Sequence, residues 1–203
     1  MKNASLLKVL SMVALGVSAQ ATPITINFLE NGSNLSLGSS SVFTESGVSL
    51  TAYASSGQNL YAKSAGSGET GLGIASDSDH EINSGNFIQL YSSSSGLSLS
   101  SLFLSSVQED ESATIWFSSQ LGSLGSKIGT VYSDGSFNVS AYVNGYIGVS
   151  AGGECGNVLI ATATGSTSTL SPRVDPVPDS GSTLILLGGV LTGLSLIKRK
   201  FLA

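Results

Sequence analysis

Three carboxylates alternate along one short stretch of the chain: Asp77, Asp79 and Glu81. In an extended segment, alternate side chains project to the same side, and carboxylate oxygens are the ligands that Ca²⁺ prefers. The spacing therefore predicts a calcium site, with a solvated polar loop as the alternative interpretation. An EF-hand loop is excluded, because Ile82 stands at the sixth position, where Gly is needed, and Ile88 at the twelfth, where Glu is needed.

A second acidic run, Glu109–Glu111, follows a predicted strand that ends at Val107. Adjacent carboxylates in a loop are typical of a solvated turn. If sheet pairing brought this run close to Asp77 and Asp79, it would complete a calcium shell.

Gly148–Gly152 has the spacing of a hydrolase nucleophile elbow, with Ser150 as the nucleophile. An elbow needs a helix after the serine and a histidine later in the chain. Here glycines follow, and the single histidine, His80, lies earlier. His80 also has no second His or Cys near it, so a zinc site is not expected. The sequence therefore predicts no enzymatic activity that depends on Ser150 or His80.

Aromatic residues raise the possibility of sugar binding. Trp116 and the six tyrosines would stack on sugar rings if they were exposed. Trp116 stands in the apolar run Ala113–Phe117, and we expect it to belong to the core. A secreted hydrolase is the remaining alternative, and it would need two convergent carboxylates in a cleft.

Between residues 22 and 164 the sequence has the pattern of short β-strands. Runs of branched and aromatic residues are separated by clusters of Gly, Ser, Asn and Asp, as strands are separated by turns. Val48–Ala54 alternates strictly between apolar and polar residues, which indicates a strand with one buried face. The predicted strands are Ile24–Phe28, Val48–Ala54, Leu60–Lys63, Phe87–Tyr91, Leu97–Val107, Ala113–Phe117, Phe137–Val143, Tyr146–Val149 and Val158–Ala163.

Two dipeptides predict tight hairpins between consecutive strands. Asn144–Gly145 and Asp134–Gly135 each offer the residues that accept positive φ angles in hairpin turns. About nine or ten short strands with such turns predict an all-β fold, a two-sheet β-sandwich of the jelly-roll type.

The N-terminus has the three parts of a signal peptide, predicted over residues 1–21. Lys2 and Lys8 give a positive start, Val9–Val17 is a short apolar run, and Ala19–Ala21 is a small-x-small cleavage pattern. We therefore expect the chain to be exported and the mature protein to begin near Thr22.

The C-terminal part predicts a linker followed by a membrane segment. Residues 165–176 are rich in Ser, Thr and Pro, as in an extended linker. The run Leu184–Ile197 has no charge and no proline and predicts a single transmembrane helix, although a full span needs about 20 residues. The basic cluster Lys198, Arg199 and Lys200 would stop transfer and mark the cytoplasmic side.

The motif before that helix is Val177, Pro178, Asp179, Ser180 and Gly181. Motif, apolar helix and basic stop together, over residues 177–203, resemble the VPDSG variant of the PEP-CTERM tails. The resemblance implies that an exosortase in the membrane is a transient partner. It also implies processing near the motif and delivery to the cell surface of a bacterium, often one that makes exopolysaccharide.

The charge of the exported part excludes a nucleic-acid partner. Only Lys63, Lys127 and Arg173 lie between the signal peptide and the basic cluster, against thirteen acids, for a net charge of −10. Phosphate contacts need clustered Lys and Arg. The single Cys155 cannot form an intramolecular disulfide, so stability must come from burial.

The sequence thus predicts a non-enzymatic, exported protein with a structural or interaction role at the cell surface or in the extracellular matrix. It would be anchored through its C-terminal helix until an exosortase processes it. A carbohydrate-binding or adhesive module of the exopolysaccharide matrix is the first alternative, and a secreted hydrolase is the second.

Overall fold

The computed structural model describes residues 21–66, 68–92, 96–153 and 156–167. These residues form thirteen strands, and no helix occurs among them. The strands are β1 (Pro23–Asn27), β2 (Leu35–Gly38), β3 (Ser40–Glu45), β4 (Val48–Ala54), β5 (Leu60–Ser64), β6 (Thr70–Ile74), β7 (Phe87–Ser92), β8 (Leu97–Ser105), β9 (Ser112–Ser118), β10 (Ser126–Val131), β11 (Gly135–Asn138), β12 (Tyr146–Gly152) and β13 (Leu159–Thr167).

The strands form two antiparallel sheets. The first has the order β11-β8-β13-β6-β5-β2, with β1 also paired to β13, and the second has the order β10-β9-β12-β7-β4-β3. Alternation decides which face of each strand is buried: in β4, Val48, Leu50 and Ala52 are buried while the residues between them are partly exposed.

A bulge in β8 explains a break in its alternation. Leu99 pairs with Gly165 and Ser101 pairs with Thr164, so Ser100 is an extra residue in the ladder. The extra residue returns Leu102 to the buried face.

Side chains of both sheets belong to one hydrophobic cluster. Ile26, Leu72 and Leu102 come from the first sheet and Leu50 and Ile115 from the second, and all five are fully buried. An all-β fold with two antiparallel sheets is therefore confirmed, while the jelly-roll arrangement stays a prediction.

Four strands were not predicted: β2, β3, β6 and β10. In β6 the pattern is Thr70-Gly71-Leu72-Gly73-Ile74, and glycine is a poor strand former. The predicted strand Phe137–Val143 is wrong in extent, because β11 ends at Asn138.

Both predicted hairpins are wrong. β10 lies in the second sheet, β11 in the first and β12 in the second again. The turns at Asp134–Gly135 and Asn144–Gly145 therefore carry the chain from one sheet to the other. Asn144 does adopt the positive φ expected of a turn residue, 60°.

The first and last strands lie side by side. β1 pairs with β13 from Pro23 opposite Ser166 to Asn27 opposite Thr162. β13 continues to Thr167, so its last three residues fall within the predicted linker 165–176.

The described part of the chain contains no helix with the length and apolar character that a membrane crossing needs. The predicted signal peptide, apart from Ala21, and the predicted transmembrane helix lie outside the described residues.

Candidate functional site

The candidate site begins with two glycines on the face of the first sheet that points away from the core. Leu72 and Ile74 of β6 are in the core cluster, so Gly71 and Gly73 lie on the opposite face. In β5, Lys63 pairs with Gly71 and Tyr61 with Gly73. At Gly71 a Cβ would meet the backbone of β13, 2.6 Å from the Ile160 carbonyl oxygen, whereas at Gly73 the missing side chain leaves a groove beside Tyr61.

The segment after β6 folds back into this groove. Residues 75–80 form turns, and a Cβ at Gly73 would lie only 2.0 Å from the carbonyl oxygen of His80. Such a contact is impossible, so only glycine permits the close approach of the two backbones. Ile82 then forms a bridge with Val158 and is fully buried.

This return path places Glu81 against Lys63. Lys63 Nζ lies 2.5 Å from Glu81 Oε1, and the side chains are only 10% and 4% exposed. Ser106 Oγ donates a second hydrogen bond to the same oxygen, at 2.9 Å. Glu69 Oε2 lies 3.0 Å from Nζ on the more open side, with a side chain that is 38% exposed.

The second oxygen of Glu81 has no hydrogen-bond partner although it is buried. Burial raises the pKa of the Glu81 carboxyl and outweighs the opposing effect of its bonds with Lys63 and Ser106. Burial lowers the pKa of Lys63, but hydrogen bonds with Glu81 and Glu69 outweigh it and the lysine pKa is raised. The site thus holds the Lys63 ammonium group against the Glu81 carboxylate, one oxygen of which is buried without a hydrogen-bond donor.

Two strained residues flank the pair. His80 and Ser106 both have a φ of 62°, in the left-handed region that costs a non-glycine residue about 1–2 kcal/mol. The His80 ring stacks on Tyr61, with centroids 3.9 Å apart. Such strain persists only where surrounding contacts fix the backbone. Here the strained backbone orients Ser106 so that its hydroxyl donates to the Glu81 carboxylate.

The three predicted calcium ligands have separate protein partners. Asp77 accepts hydrogen bonds from Asn83 N and Asn86 Nδ2, Asp79 accepts one from Glu81 N, and Glu81 binds Lys63. The extended geometry assumed for this segment is wrong, because residues 75–80 form turns. As the described residues are folded, these three side chains form no group that could hold a metal ion, so calcium binding stays a prediction that requires them to leave these partners.

The run Glu109–Glu111 lies in the turn before β9, where Glu111 Oε2 accepts a hydrogen bond from Gln108 N. Within the described ranges, no group of three or more His, Cys, Asp or Glu side chains could hold a metal ion. The run therefore does not complete a calcium shell with Asp77 and Asp79 in the described structure.

Ser150 lies within β12 and is buried. Its Oγ accepts a hydrogen bond from Trp116 Nε1 at 2.9 Å. His80 Nδ1 lies 3.2 Å from the carbonyl oxygen of Ala75. Trp116 is only partly buried and does not belong to the core cluster, so the prediction of a core tryptophan is wrong. Ala113 and Ile115 take the buried face of β9, and alternation turns Trp116 outward.

Three tyrosines cluster on the outward face of the second sheet. Tyr146 stacks on Tyr91, with ring centroids 4.9 Å apart, and lies edge-on to Tyr53, at 6.2 Å. All three are partly exposed. A cleft of about 440 Å³ borders the cluster, lined among others by Tyr91, Tyr142 and Asn144.

The contact between Lys63 and Glu81 was missed from sequence. Lys63 is one of only two lysines in the predicted domain, and it follows the alternating run Leu60-Tyr61-Ala62. The sequence signal that could have predicted this contact is a single lysine at the end of one strand, followed in the chain by a strand with a Gly-x-Gly pattern. Which acid would meet the lysine depends on the fold.

The comparisons with known proteins concern the C-terminal tail. Residues 176–201 match the VPDSG-CTERM motif, which is a sorting tail of the PEP-CTERM type. No curated protein and no solved structure shows significant similarity to the chain. The motif residues Val177–Gly181 and the basic cluster Lys198–Lys200 lie outside the described residues.

Proposed function

We propose that this chain is an exported protein whose β-domain has a non-enzymatic, structural or interaction role at the bacterial cell surface or in the extracellular matrix. The match of residues 176–201 to the VPDSG-CTERM motif carries the proposal. A tail of that type indicates export, membrane anchoring and sorting through an exosortase.

The topology of the domain suits such a tail. Pro23, just after the predicted signal peptide, pairs with Ser166, in the predicted linker. The first and last strands of the domain are therefore neighbours, and the strand that leads to the tail is held by its pairing with β1.

Processing is tested by mass spectrometry of the protein secreted by a host that has a cognate exosortase. The mature protein should begin near Thr22 and lack the segment after Gly181. A matched host without the exosortase should retain the tail. Extracellular protein that still yields peptides from residues 182–203 would overturn the sorting proposal, and an N-terminal Met1 would overturn the signal peptide.

A second candidate function is carbohydrate binding, and the cluster of Tyr53, Tyr91 and Tyr146 favours it. Partly exposed aromatic rings offer flat apolar faces to sugar rings, and the neighbouring cleft supplies polar groups such as Asn144. The exopolysaccharide of the producing bacterium is the ligand that an exosortase tail suggests.

Binding is measured by calorimetry with purified exopolysaccharide. Tyr91→Ala should weaken binding by about tenfold, as the loss of one stacking contact of about 1.4 kcal/mol would. The control is Tyr132→Ala, since Tyr132 is 76% exposed and lies outside the cluster. If both variants bind with the same affinity as the unmodified protein, the tyrosine cluster is not the sugar-binding site.

A further inference from the structure

We propose that Lys63 and Glu81 become joined by an amide bond between Lys63 Nζ and Glu81 Cδ, in an intramolecular reaction that releases water. The product would be a covalent cross-link that closes the chain between β5 and the segment after β6. It goes beyond the proposed surface role, and it does not depend on that role.

The two reacting groups are already joined by a hydrogen bond. Lys63 Nζ lies 2.5 Å from Glu81 Oε1, and the residues are 18 positions apart in the sequence. Holding an amine against a carboxyl group in a fixed geometry acts like an effective concentration of about 10⁵–10⁸ M. An amide bond that forms very slowly between free molecules can therefore form here.

The surroundings favour the neutral product over the ion pair. Both side chains are buried, and Glu81 Oε2 has no hydrogen-bond donor. A buried ion pair retains a large desolvation cost, which an uncharged amide avoids. Burial also limits the access of water, so the reverse hydrolysis is disfavoured.

The remaining contacts supply the groups that the reaction needs. Ser106 Oγ donates a hydrogen bond to Glu81 Oε1, which stabilises the negative charge that develops on that oxygen when Nζ attacks Cδ. Glu69 Oε2, 3.0 Å from Nζ, can accept a proton from the nitrogen as Nζ attacks.

The step balances. The ammonium group of Lys63 and the carboxylate of Glu81 carry opposite unit charges and give a neutral amide. The Nζ–Cδ bond forms and the Cδ–Oε2 bond breaks. Two protons from Nζ leave with Oε2 as water, and Glu69 ends as it began. No oxidant, reductant or other reactant takes part.

The test is mass spectrometry of the full-length protein after folding and digestion with trypsin. A cross-linked Lys63 cannot be cut, so residues 9–127 should remain one peptide, lighter than the unmodified sequence by one water molecule. Fragmentation should place the loss on Lys63 and Glu81. Asp134–Gly135 can also lose water by cyclisation, but it lies outside this peptide.

Two variants act as controls. Lys63→Arg keeps the positive charge but should lose the cross-link entirely. Glu69→Gln keeps Lys63 and Glu81 and should slow cross-linking by about 100-fold, the usual contribution of a positioned acid–base group. The rate is followed after cell-free synthesis of each full-length chain.

Complete cutting after Lys63 in folded, aged protein, with all masses unmodified, would overturn the proposal. A loss of ammonia with the link on Asn83, whose buried Oδ1 has no hydrogen-bond partner, would overturn the assignment to Glu81. An unchanged rate in Glu69→Gln would remove Glu69 from the reaction.

Discussion

Lys63 compensates the charge of a carboxylate that the fold has taken out of water. Compared with freshly folded protein that still holds the ion pair, Lys63→Met should therefore lower the free energy of unfolding by about 3–5 kcal/mol, because Glu81 would be left buried without its partner. Thermal or denaturant unfolding measures this loss. Lys127→Met is the matched control, since Lys127 is exposed on β10, and its effect should stay within about 0.5 kcal/mol. Equal effects of the two variants would contradict the role of Lys63.

The loss in Lys63→Met should depend on pH. Burial raises the pKa of Glu81. In the variant, the hydrogen bond from Ser106 is the one remaining side-chain hydrogen bond that opposes this rise. A carboxyl group whose folded pKa is raised stabilises the protein below its ordinary value of 4.5 and loses that contribution as pH rises through the folded pKa. Relative to freshly folded protein that still holds the ion pair, the variant should be least destabilised near pH 4.5 and more destabilised toward neutral pH. A difference that does not vary with pH would contradict this.

Calcium binding by Asp77, Asp79 and Glu81 is tested at the same scale. If the site exists, calcium at about 100 times the dissociation constant should add about 2.7 kcal/mol to the free energy of unfolding. The melting temperature in calcium would then exceed that in chelator, and Asp79→Ala would abolish the difference. Coincident melting curves would leave the solvated-loop interpretation.

At the scale of elements, the Gly-x-Gly pattern of β6 decides where the following segment can lie. Gly73→Ala would place a Cβ 2.0 Å from the carbonyl oxygen of His80, which is a backbone atom that cannot move aside alone. We expect a loss of about 1–3 kcal/mol in the free energy of unfolding, as overpacking usually costs. The variant should also displace Glu81 from Lys63.

Gly66→Ala is the control for that variant. A Cβ at Gly66 would have no heavy atom within 4 Å, so its melting temperature should be close to that of the unmodified protein. If both variants melt alike, the close approach at Gly73 does not limit the fold.

At the scale of the whole molecule, β13 joins the two ends of the domain. It pairs with β8, β6 and β1, and Ile160 and Ala163 lie in the core. A chain truncated after Thr167 keeps all these pairings and should unfold cooperatively, with a melting temperature close to that of the full-length protein. A chain truncated after Asn157 loses β13 and should not fold. Circular dichroism on heating distinguishes these outcomes, and a folded shorter chain would contradict the central place of β13.

The sequence by itself determined the local features of this protein. Strict alternation placed β4 with its correct ends, because alternation needs only the period of a strand. Of the two turn dipeptides predicted to offer positive φ angles, Asn144 takes one, whereas Gly145, Asp134 and Gly135 do not. The sorting tail was also readable, because its motif, apolar run and basic cluster are contiguous in the sequence.

Only the tertiary structure decided which sheet each strand joins and which charges meet. A turn dipeptide fixes how the chain bends but not the sheet that receives the next strand, and so both predicted hairpins became crossings between sheets. Glu81 alternates with Asp77 and Asp79 in the sequence, which predicted a shared site, yet in the fold it forms an ion pair with Lys63. That contact depends on the close approach of the His80 backbone to Gly73, which lies beside the strand of Lys63 only once β5 and β6 are paired.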